Sequence, residues 1–442
     1  MNVITRFPPS PTGYLHIGSA RTALFNYLFA AHHGGTMYLR FEDTDKERSK
    51  KEFEKDIIDG LAWLEIPYTS ALPSRQSERL DAYQGYLRAL IEKGAAYEAE
   101  ENEKGEKVIR FRNPQIRLTF SDLIRGSITF DTTELKDFVI ARSINAPLYH
   151  LAVVADDHDA GVTHIIRGED HISNTPRQIL ILEALGFQRP LYAHIPLILA
   201  LDRSKLSKRN AATSVNEYRQ EYLSAAVLNY LALLGWTPPS GREKMSLGQL
   251  VAQFRLEDVH KSAAIFDLKK LQWLNHLYVL EMADEEYRKA MVEYVPTEWK
   301  QGDNERVLEK IIPLLKERTT TWRLLQGSIA EGEFGYFFRT PAYDIEKIPE
   351  KKSDAPTTKR HLTHLRKLLA ELPSSHDVTR EHVKGLVWDY AEAEGRGSVL
   401  WPLRYALTGR ERSPDPFTVG AVIGKEKVLD RIDAAIKALE HP

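Results

Sequence analysis

Residues 3–33 limit the possible folds more than any other stretch of the chain. VITRF (3–7) is a short β-prone run that ends in PPSPTG, where prolines and a glycine force a turn. From Ile17 to about His33 the period becomes helical, with Leu24, Tyr27, Leu28 and Ala31 on one face, and Gly34 and Gly35 supply a stop. TMYLRFE (36–42) is β-like again, and Phe53, Ile57, Leu61 and Leu64 mark a second amphipathic helix, expected over 48–64. Strand, helix, strand, helix in so short a span predicts a parallel sheet covered by helices.

The stretch from about 94 to 145 differs in character. EAEENEKGEK reads as a charged, solvated hairpin region, VIRFR alternates Ile109 and Phe111 against Arg110 and Arg112, and Phe138–Ala141 begins a new apolar run. An inserted β-containing module is expected here. YHLAVVA (149–155) and HIIRG (164–168) read as further sheet-forming segments, with a helix over 175–185. Beyond Asn210 strand signals fade. Leu223, Val227, Tyr230, Leu231 and Leu234 form a helical stripe closed by Gly235, and Val428, Leu429, Ile432, Ala435, Ile436 and Leu439 repeat at helical spacing. The expected architecture is multidomain. A Rossmann-type parallel-sheet α/β domain (1–93 and 140–210) carries an inserted α+β module (94–139), and an all-α C-terminal half follows, divided into 211–300 and 301–442.

At 442 residues the chain is too long for one ordinary core. No window reaches the apolar length that spans a bilayer, and MNVITRF lacks the features of a signal peptide, so a cytoplasmic location is expected. The absence of cysteine excludes disulfides and thiolate zinc sites. Net charge is −2, with 60 basic against 62 acidic side chains. A nucleic-acid partner would therefore have to be held by local patches.

The turn at LHIGS carries chemistry. A helix that opens at Ile17–Gly18 presents free N–H groups and positive dipole charge, which suits a nucleotide phosphate. Gly18 leaves room for a nucleotide to approach the backbone, and His16 offers a donor to the phosphates, with Ser19 beside it. A histidine and a structural glycine at a helix start would look the same, and that bland alternative is the commoner one for a bare H-x-G match. Far downstream, LDRSKLSKRN (201–210) gathers Lys205, Lys208 and Arg209 around Ser207. Ammonium groups on flexible stems can follow a phosphate as its geometry changes and stabilise a leaving pyrophosphate. Alone, that run would read as a solvated basic loop.

Together the segments HIGS (16–19) and KLSKR (205–209) resemble the HIGH and KMSKS motifs of class I aminoacyl-tRNA synthetases. YLRFEDTD, THIIRGEDHISNTPRQ, YAHIPLIL, FDLKKLQWLN and PLRYALTG further resemble bacterial glutamyl-tRNA synthetases, in the family's order and over nearly the whole chain. The resemblance implies activation of glutamate by ATP with Mg²⁺, then transfer of the glutamyl group to the 2′-hydroxyl of a tRNA's terminal adenosine. It implies that Arg6 and Arg167 bind the side-chain carboxylate, that Ser10, Glu42 and Tyr149 complete the amino-acid pocket, and that Asp170 lies on the adenine side of ATP. Two guanidinium groups around one carboxylate reject a neutral amide. It makes residues 94–139 an acceptor-binding module, 211–300 a stem-contact domain and 301–442 an anticodon-binding domain, with Arg404, Ser413 and Pro414 where anticodon bases are read. The partner is tRNA-Glu, together with or in place of tRNA-Gln, and a monomer is expected.

PSPTG (9–13) stands where glutaminyl and archaeal-type glutamyl enzymes carry P-E-P-N-G. The long segment beyond KLSKR counts against the shorter relative that glutamylates queuosine in tRNA. It would also be unused in an HxGH nucleotidyltransferase acting on small substrates, and the intact motifs argue against a non-catalytic RNA-binding paralogue. Asn210, Ala211 and RSINAPLYH (142–150) depart from the family's wording, which touches the loop and the pocket around His150 and Val153. The zinc that some members hold through cysteines cannot form here. Asp156-Asp157-His158-Asp159 reads as a polar turn rather than a metal site, and Asp43-Thr44-Asp45 as turn and capping chemistry for the helix that follows. Lys351, Lys352, Lys359, Arg360, Arg366 and Lys367 form one basic concentration and Arg404, Arg410 and Arg412 another. Trp401 offers a stacking face or a core side chain, and Asp267, Lys269, Trp273 and Asn275 are expected to be scaffolding.

Overall fold

The computed structural model describes residues 2–100, 107–204, 206, 214–373 and 378–440. The chain divides into two compact units, Met1–Tyr278 and Val279–Pro442. In the first unit β1 (Ile4–Phe7), α1 (Ile17–His32), β2 (Thr36–Phe41), α2 (Lys51–Trp63) and β3 (Thr69–Arg75) build three parallel strands in the order β1-β2-β3, with Arg6 opposite Tyr38. Gly34 ends α1 at φ 65. Gly35 then lets β2 start close beside β1, because a Cβ there would lie 2.0 Å from the Val3 carbonyl oxygen. The turn before α1 is pinned from α2: the Leu15 N–H donates to Asp56 at 2.7 Å, and Gly60 has no side chain where Leu15 packs.

After α3 (Leu80–Glu92) the chain leaves this sheet. β4 (Ala96–Glu100), β5 (Lys107–Phe111), β8 (Phe138–Ser143) and β9 (Ala146–Pro147) form an antiparallel sheet, and β6 (Arg117–Asp122) and β7 (Gly126–Asp131) form a hairpin between them in sequence. Residues 101–106, inside the expected charged hairpin, lie outside the described residues. Hydrogen bonds hold this cysteine-free segment together: Asp137 accepts from Tyr97 Oη and the Asn113 N–H, both at 2.8 Å, and Asn113 Nδ2 donates to Thr132 O at 2.5 Å.

Residues 149–159 are not a strand. They form α4 (Tyr149–Asp159), and Leu151 to Asp157 are all buried. A helix buried on every side shows no polar face, so its sequence imitates a buried strand. β10 (His164–Gly168), α5 (Thr175–Leu185) and β11 (Leu191–Ile195) follow, giving a second sheet ordered β10-β11-β6-β7. The hairpin of the inserted segment thus joins the sheet of the catalytic half, with Asp122 in parallel register with Tyr192. β1 and β10 lie side by side: the Thr163 N–H donates to Ile4 O at 3.0 Å, and Asn26 of α1 ties Ile166 and Thr5 together. The gap between the two sheets is the place where a doubly wound fold presents its binding crevice.

β12 (Ile198–Leu199), α6 (Val215–Arg219), α7 (Ser224–Leu233), α8 (Leu247–Gln253), β13 (Ala264–Ile265) and α9 (Leu268–Glu281) complete the unit, and the unit boundary falls inside α9. Buried Arg21 of α1 donates to Leu234 O at 3.1 Å and to Pro196 O, which fixes the end of α7 against α1. Asn275 Oδ1 accepts the Leu223 N–H at 2.9 Å, and the Asp267 N–H donates to Tyr230 Oη at 2.7 Å. Trp273 is exposed.

The second unit, among the described residues, is helical: α10 (Asp284–Met291), α11 (Asp303–Arg318), α12 (Trp322–Ala330), α13 (Ala355–Leu369), α14 (Arg380–Glu394), α15 (Arg396–Thr408) and α16 (Pro416–Glu440), which breaks at Gly424. Its core repeats at helical spacing, with Leu362, Leu365 and Leu369 of α13 and Val383, Val387 and Ala391 of α14 buried. Among the described residues no helix is long and apolar enough to cross a membrane.

Candidate active site

α1 opens at His16, its N-cap, whose Nδ1 accepts the Ser19 N–H at 3.2 Å while Nε2 lies 3.0 Å from Ser19 Oγ. Gly18 serves a purpose the sequence did not show: a Cβ there would press on the His16 ring at 3.2 Å. The glycine makes room for the imidazole over the helix end. No acidic residue stands in the first turn of α1, so its positive end keeps its attraction for an anion. His16 also forms a β-bridge with Ser214, and the Val215 N–H donates to Leu15 O at 2.8 Å. Ser214 and Val215, downstream of the basic run, therefore meet the start of α1. Lys205, Ser207, Lys208 and Arg209 themselves lie outside the described residues.

Beside this helix start, the C-terminal ends of β1 and β10 bring buried Arg6 and Arg167 into the crevice between the sheets. Arg6 Nε donates to Asp157 Oδ2 at 3.1 Å. Arg167 Nε donates to His194 Nε2 at 3.2 Å and its Nη2 to Thr175 Oγ1 at 2.8 Å. In both arginines Nη1 is buried with no hydrogen-bond partner. Burial, and then the positive charge of Arg6, hold the Arg167 guanidinium below its ordinary range. Buried donors without acceptors are costly, so a pair of them around one crevice describes a site for an acceptor group.

Glu42 follows β2 and is buried, its N–H bonded to Pro9 O at 3.0 Å. Burial raises its carboxyl to about 7, against the pull of Arg40 and Arg6. Tyr149, at the start of α4, is pushed up by burial and by Glu42, while Arg167 and Arg6 pull it down. Arg6, Glu42, Tyr149 and Arg167 thus share one electrostatic neighbourhood. Ser10 and Asp170 are exposed; Asp170 is 3.8 Å from the His171 ring and folds back where a Gly168 side chain would stand. His150 is half-buried and held down to about 4, first by desolvation.

The acidic run at 156–159 is not the polar turn expected from the sequence. It is the last part of α4, and its carboxylates anchor arginines. Asp157 Oδ1 lies 2.8 Å from Arg40 Nη2, and Asp156 accepts from Tyr83 Oη and Gln76 Nε2, both at 2.8 Å, beside Arg79 Nε at 2.7 Å. Burial would raise Asp157, but Arg6 and Arg40 outweigh it and keep it ionised. Arg40 was legible in part: it shares a strand face with Glu42, and opposite charges at i and i+2 on a strand predict a pair, seen here at 3.5 Å. Asp43 does not cap α2 either. It accepts from Ser77 N–H at 2.8 Å and Oγ at 2.6 Å, while Asp45 pairs with Arg48 at 2.6 Å.

Comparison with known proteins matches residues 2–104 and 98–273 to the catalytic domain of class I tRNA synthetases (E and Q), and residues 278–436 to an anticodon binding domain. The chain is 38% identical to the glutamate–tRNA ligase of Desulforamulus reducens, over 99% of this chain and 100% of that one. It is 39% identical to that of Aquifex aeolicus, over 99% of both. A solved structure of a glutamate tRNA ligase from Elizabethkingia meningosepticum, in complex with its amino acid, superposes with a TM-score of 0.88 at 31% identity, covering 99% of this chain and 100% of that one. The chain belongs to the class I glutamate–tRNA ligase family.

In this ligase the second unit holds the residues expected to read RNA. Arg404 lies on α15 with its guanidinium 5.4 Å from the centre of the Trp401 ring, and Trp401 Nε1 donates to Lys347 O at 3.1 Å. Ser413 Oγ donates to Pro414 O at 3.0 Å, just ahead of α16. Part of the basic concentration is already paired: Lys359 with Glu440 and Arg360 with Glu394, both at 2.8 Å, and Arg366 with Asp433 at 2.5 Å.

Proposed function

We propose that this ligase activates L-glutamate with the magnesium complex of ATP and passes the glutamyl group to the terminal adenosine of tRNA-Glu. The observation that carries the reading is the pair of buried, unpartnered Nη1 groups of Arg6 and Arg167 at the ends of β1 and β10. Each Nη1 donates to one oxygen of the substrate's side-chain carboxylate, while Glu42 accepts from its α-ammonium group and Tyr149 closes the side of the pocket. Ser10 adds a hydroxyl from the turn, and Asp170 faces the adenine. An oxygen of the α-carboxylate attacks the α-phosphorus, the bond from phosphorus to the pyrophosphate oxygen breaks, and glutamyl-adenylate forms. The start of α1, with His16, Gly18 and Ser19, receives the phosphates, and Lys205, Ser207, Lys208 and Arg209 stabilise the departing charge. The 2′-hydroxyl of the tRNA then attacks the adenylate's carbonyl carbon and AMP leaves. Arg404, Ser413 and Pro414 contact the anticodon, and the enzyme works as a cytoplasmic monomer.

ATP–pyrophosphate exchange with glutamate, run with and without tRNA, tests the reading. Exchange that depends on glutamate is expected; its absence with every tRNA supplied would overturn the assignment. Charging purified tRNA-Glu and tRNA-Gln side by side identifies the acceptor.

A further inference from the structure

Behind Arg167 stands a buried chain of groups that the reaction does not touch. A guanidinium can only donate, so the bond from Arg167 Nε to His194 Nε2 at 3.2 Å requires a lone pair on Nε2. The ring proton then sits on Nδ1, which lies 2.6 Å from Asp122 Oδ2. Asp122 is itself fixed by backbone donors: its Oδ2 accepts the His194 N–H at 3.0 Å, and its Oδ1 accepts the N–H groups of Ile124 at 3.0 Å and Arg125 at 2.8 Å. His194 and Thr175 are both 0% exposed and Asp122 2%, so solvent cannot substitute for any of these bonds. Held at Nε by His194 and at Nη2 by Thr175, the guanidinium has a set orientation, and Nη1 is left buried with no hydrogen-bond partner.

We infer that Asp122 and His194 are positioning residues that set Arg167, and with it the preference for a carboxylate over an amide. Asp122 belongs to β6 of the inserted segment, so that segment completes the amino-acid pocket from behind as well as extending from the catalytic sheet. The same turn supplies Arg125, whose Nε donates to His194 O at 3.3 Å and whose Nη2 pairs with Glu169. A guanidinium locked with Nη1 outward offers only a donor, which a carboxylate oxygen accepts and an amide NH₂ opposes. Released from His194, it still only donates but can turn aside, so an amide NH₂ no longer meets a fixed donor.

The inference rests on Arg167 binding the side-chain carboxylate, and the experiment separates the two. Exchange kinetics are measured for Arg167→Lys, His194→Phe and His194→Gln, with glutamate, glutamine and ATP each varied. His194→Phe keeps a ring among Phe120 and Tyr192 but removes the acceptor for Arg167. It should raise KM for glutamate ~10-fold or more with KM for ATP changed under about twofold, and lower the preference for glutamate over glutamine. His194→Gln, whose amide oxygen can stand in for Nε2, should recover most of both. Equal changes in the two KM values, or a His194→Phe enzyme within about twofold of the parent for glutamate, would overturn the inference even if Arg167→Lys loses glutamate binding. An Arg167→Lys enzyme with unaltered KM for glutamate would remove the reading beneath it.

Discussion

The proposed contact between Glu42 and the substrate's α-ammonium group predicts a pH dependence of glutamate binding that can be worked out in advance. The Glu42 carboxyl is raised from 4.5 to about 7, first by burial, with Asp157 and Asp156 adding to the rise and Arg40 and Arg6 opposing it. The sign follows: the folded, ligand-free protein holds a proton there that the unfolded chain releases near 4.5. The group's contribution to stability is therefore complete below that pH and is lost as pH rises through about 7, a cost of roughly 3 kcal/mol for keeping the charge buried. An α-ammonium group arriving beside Glu42 repays this by favouring the ionised form, so binding expels a proton wherever Glu42 starts protonated. With the carboxyl at about 7, only about a tenth of the protein is ionised at pH 6 and about nine tenths at pH 8. Affinity for glutamate should fall ~10-fold per pH unit below 7 and level off above it.

Burial holds the neighbouring imidazoles of His171, His194 and His150 below their ordinary range, His150 at about 4, which moves their titration toward acid and away from that of Glu42. The assay is kcat/KM for glutamate between pH 6 and 8 at saturating tRNA, with titration calorimetry in buffers of different ionisation enthalpy to count released protons. Glu42→Gln should flatten the profile, and its loss of affinity should be larger at pH 8 than at pH 6. A parent enzyme with no slope between pH 6 and 7, or a Glu42→Gln enzyme that keeps the slope, would refute the assignment of the ammonium to Glu42.

Three further outcomes are expected. Lys208→Ala should lower the activation rate far more than it weakens glutamate binding, read as kcat against KM in exchange kinetics; equal losses would count against a role in pyrophosphate departure. Asp157→Asn removes the carboxylate charge between Arg6 and Arg40 and should cost ~3–5 kcal/mol in urea denaturation, with less than about 1 kcal/mol refuting the buried anchor. Gly35→Ala drives a Cβ to 2.0 Å from Val3 O and should cost ~3 kcal/mol or prevent folding, whereas Gly85→Ala on α3, with nothing within 4 Å, should stabilise by ~1 kcal/mol; thermal melts compare the two.

The parts of the fold legible in the sequence were those whose pattern is local. The strand at 4–7, the helix at 17–32 with its glycine stop and the helix at 175–185 each carry their own period and punctuation within a few residues. α4 was misread for the opposite reason: seven consecutive buried residues leave no polar face to reveal the period of 3.6. Its acidic end then looked like a loop, because a run of aspartates is solvated unless something distant pairs with it.

What pairs with it comes from β1, β2 and the turn before α3, and that is why the site was only half legible. The family resemblance proposes Arg6 and Arg167 as carboxylate ligands, but an arginine is free to take an acceptor only if its other donors are engaged so that one is left over. Asp157 engages Arg6, and His194 with Thr175 engages Arg167; in each case Nη1 remains. These partners are supplied by α4, β11 and α5, elements that meet only when both sheets have closed around the crevice. Asp157 also holds Arg40, which in turn draws on Glu42, so the groups proposed to receive the two ends of the substrate share one buried charge network. A single neutral substitution at Asp157 should therefore loosen the hold on the ammonium and on the carboxylate together, an effect that neither Glu42→Gln nor Arg167→Lys alone can produce.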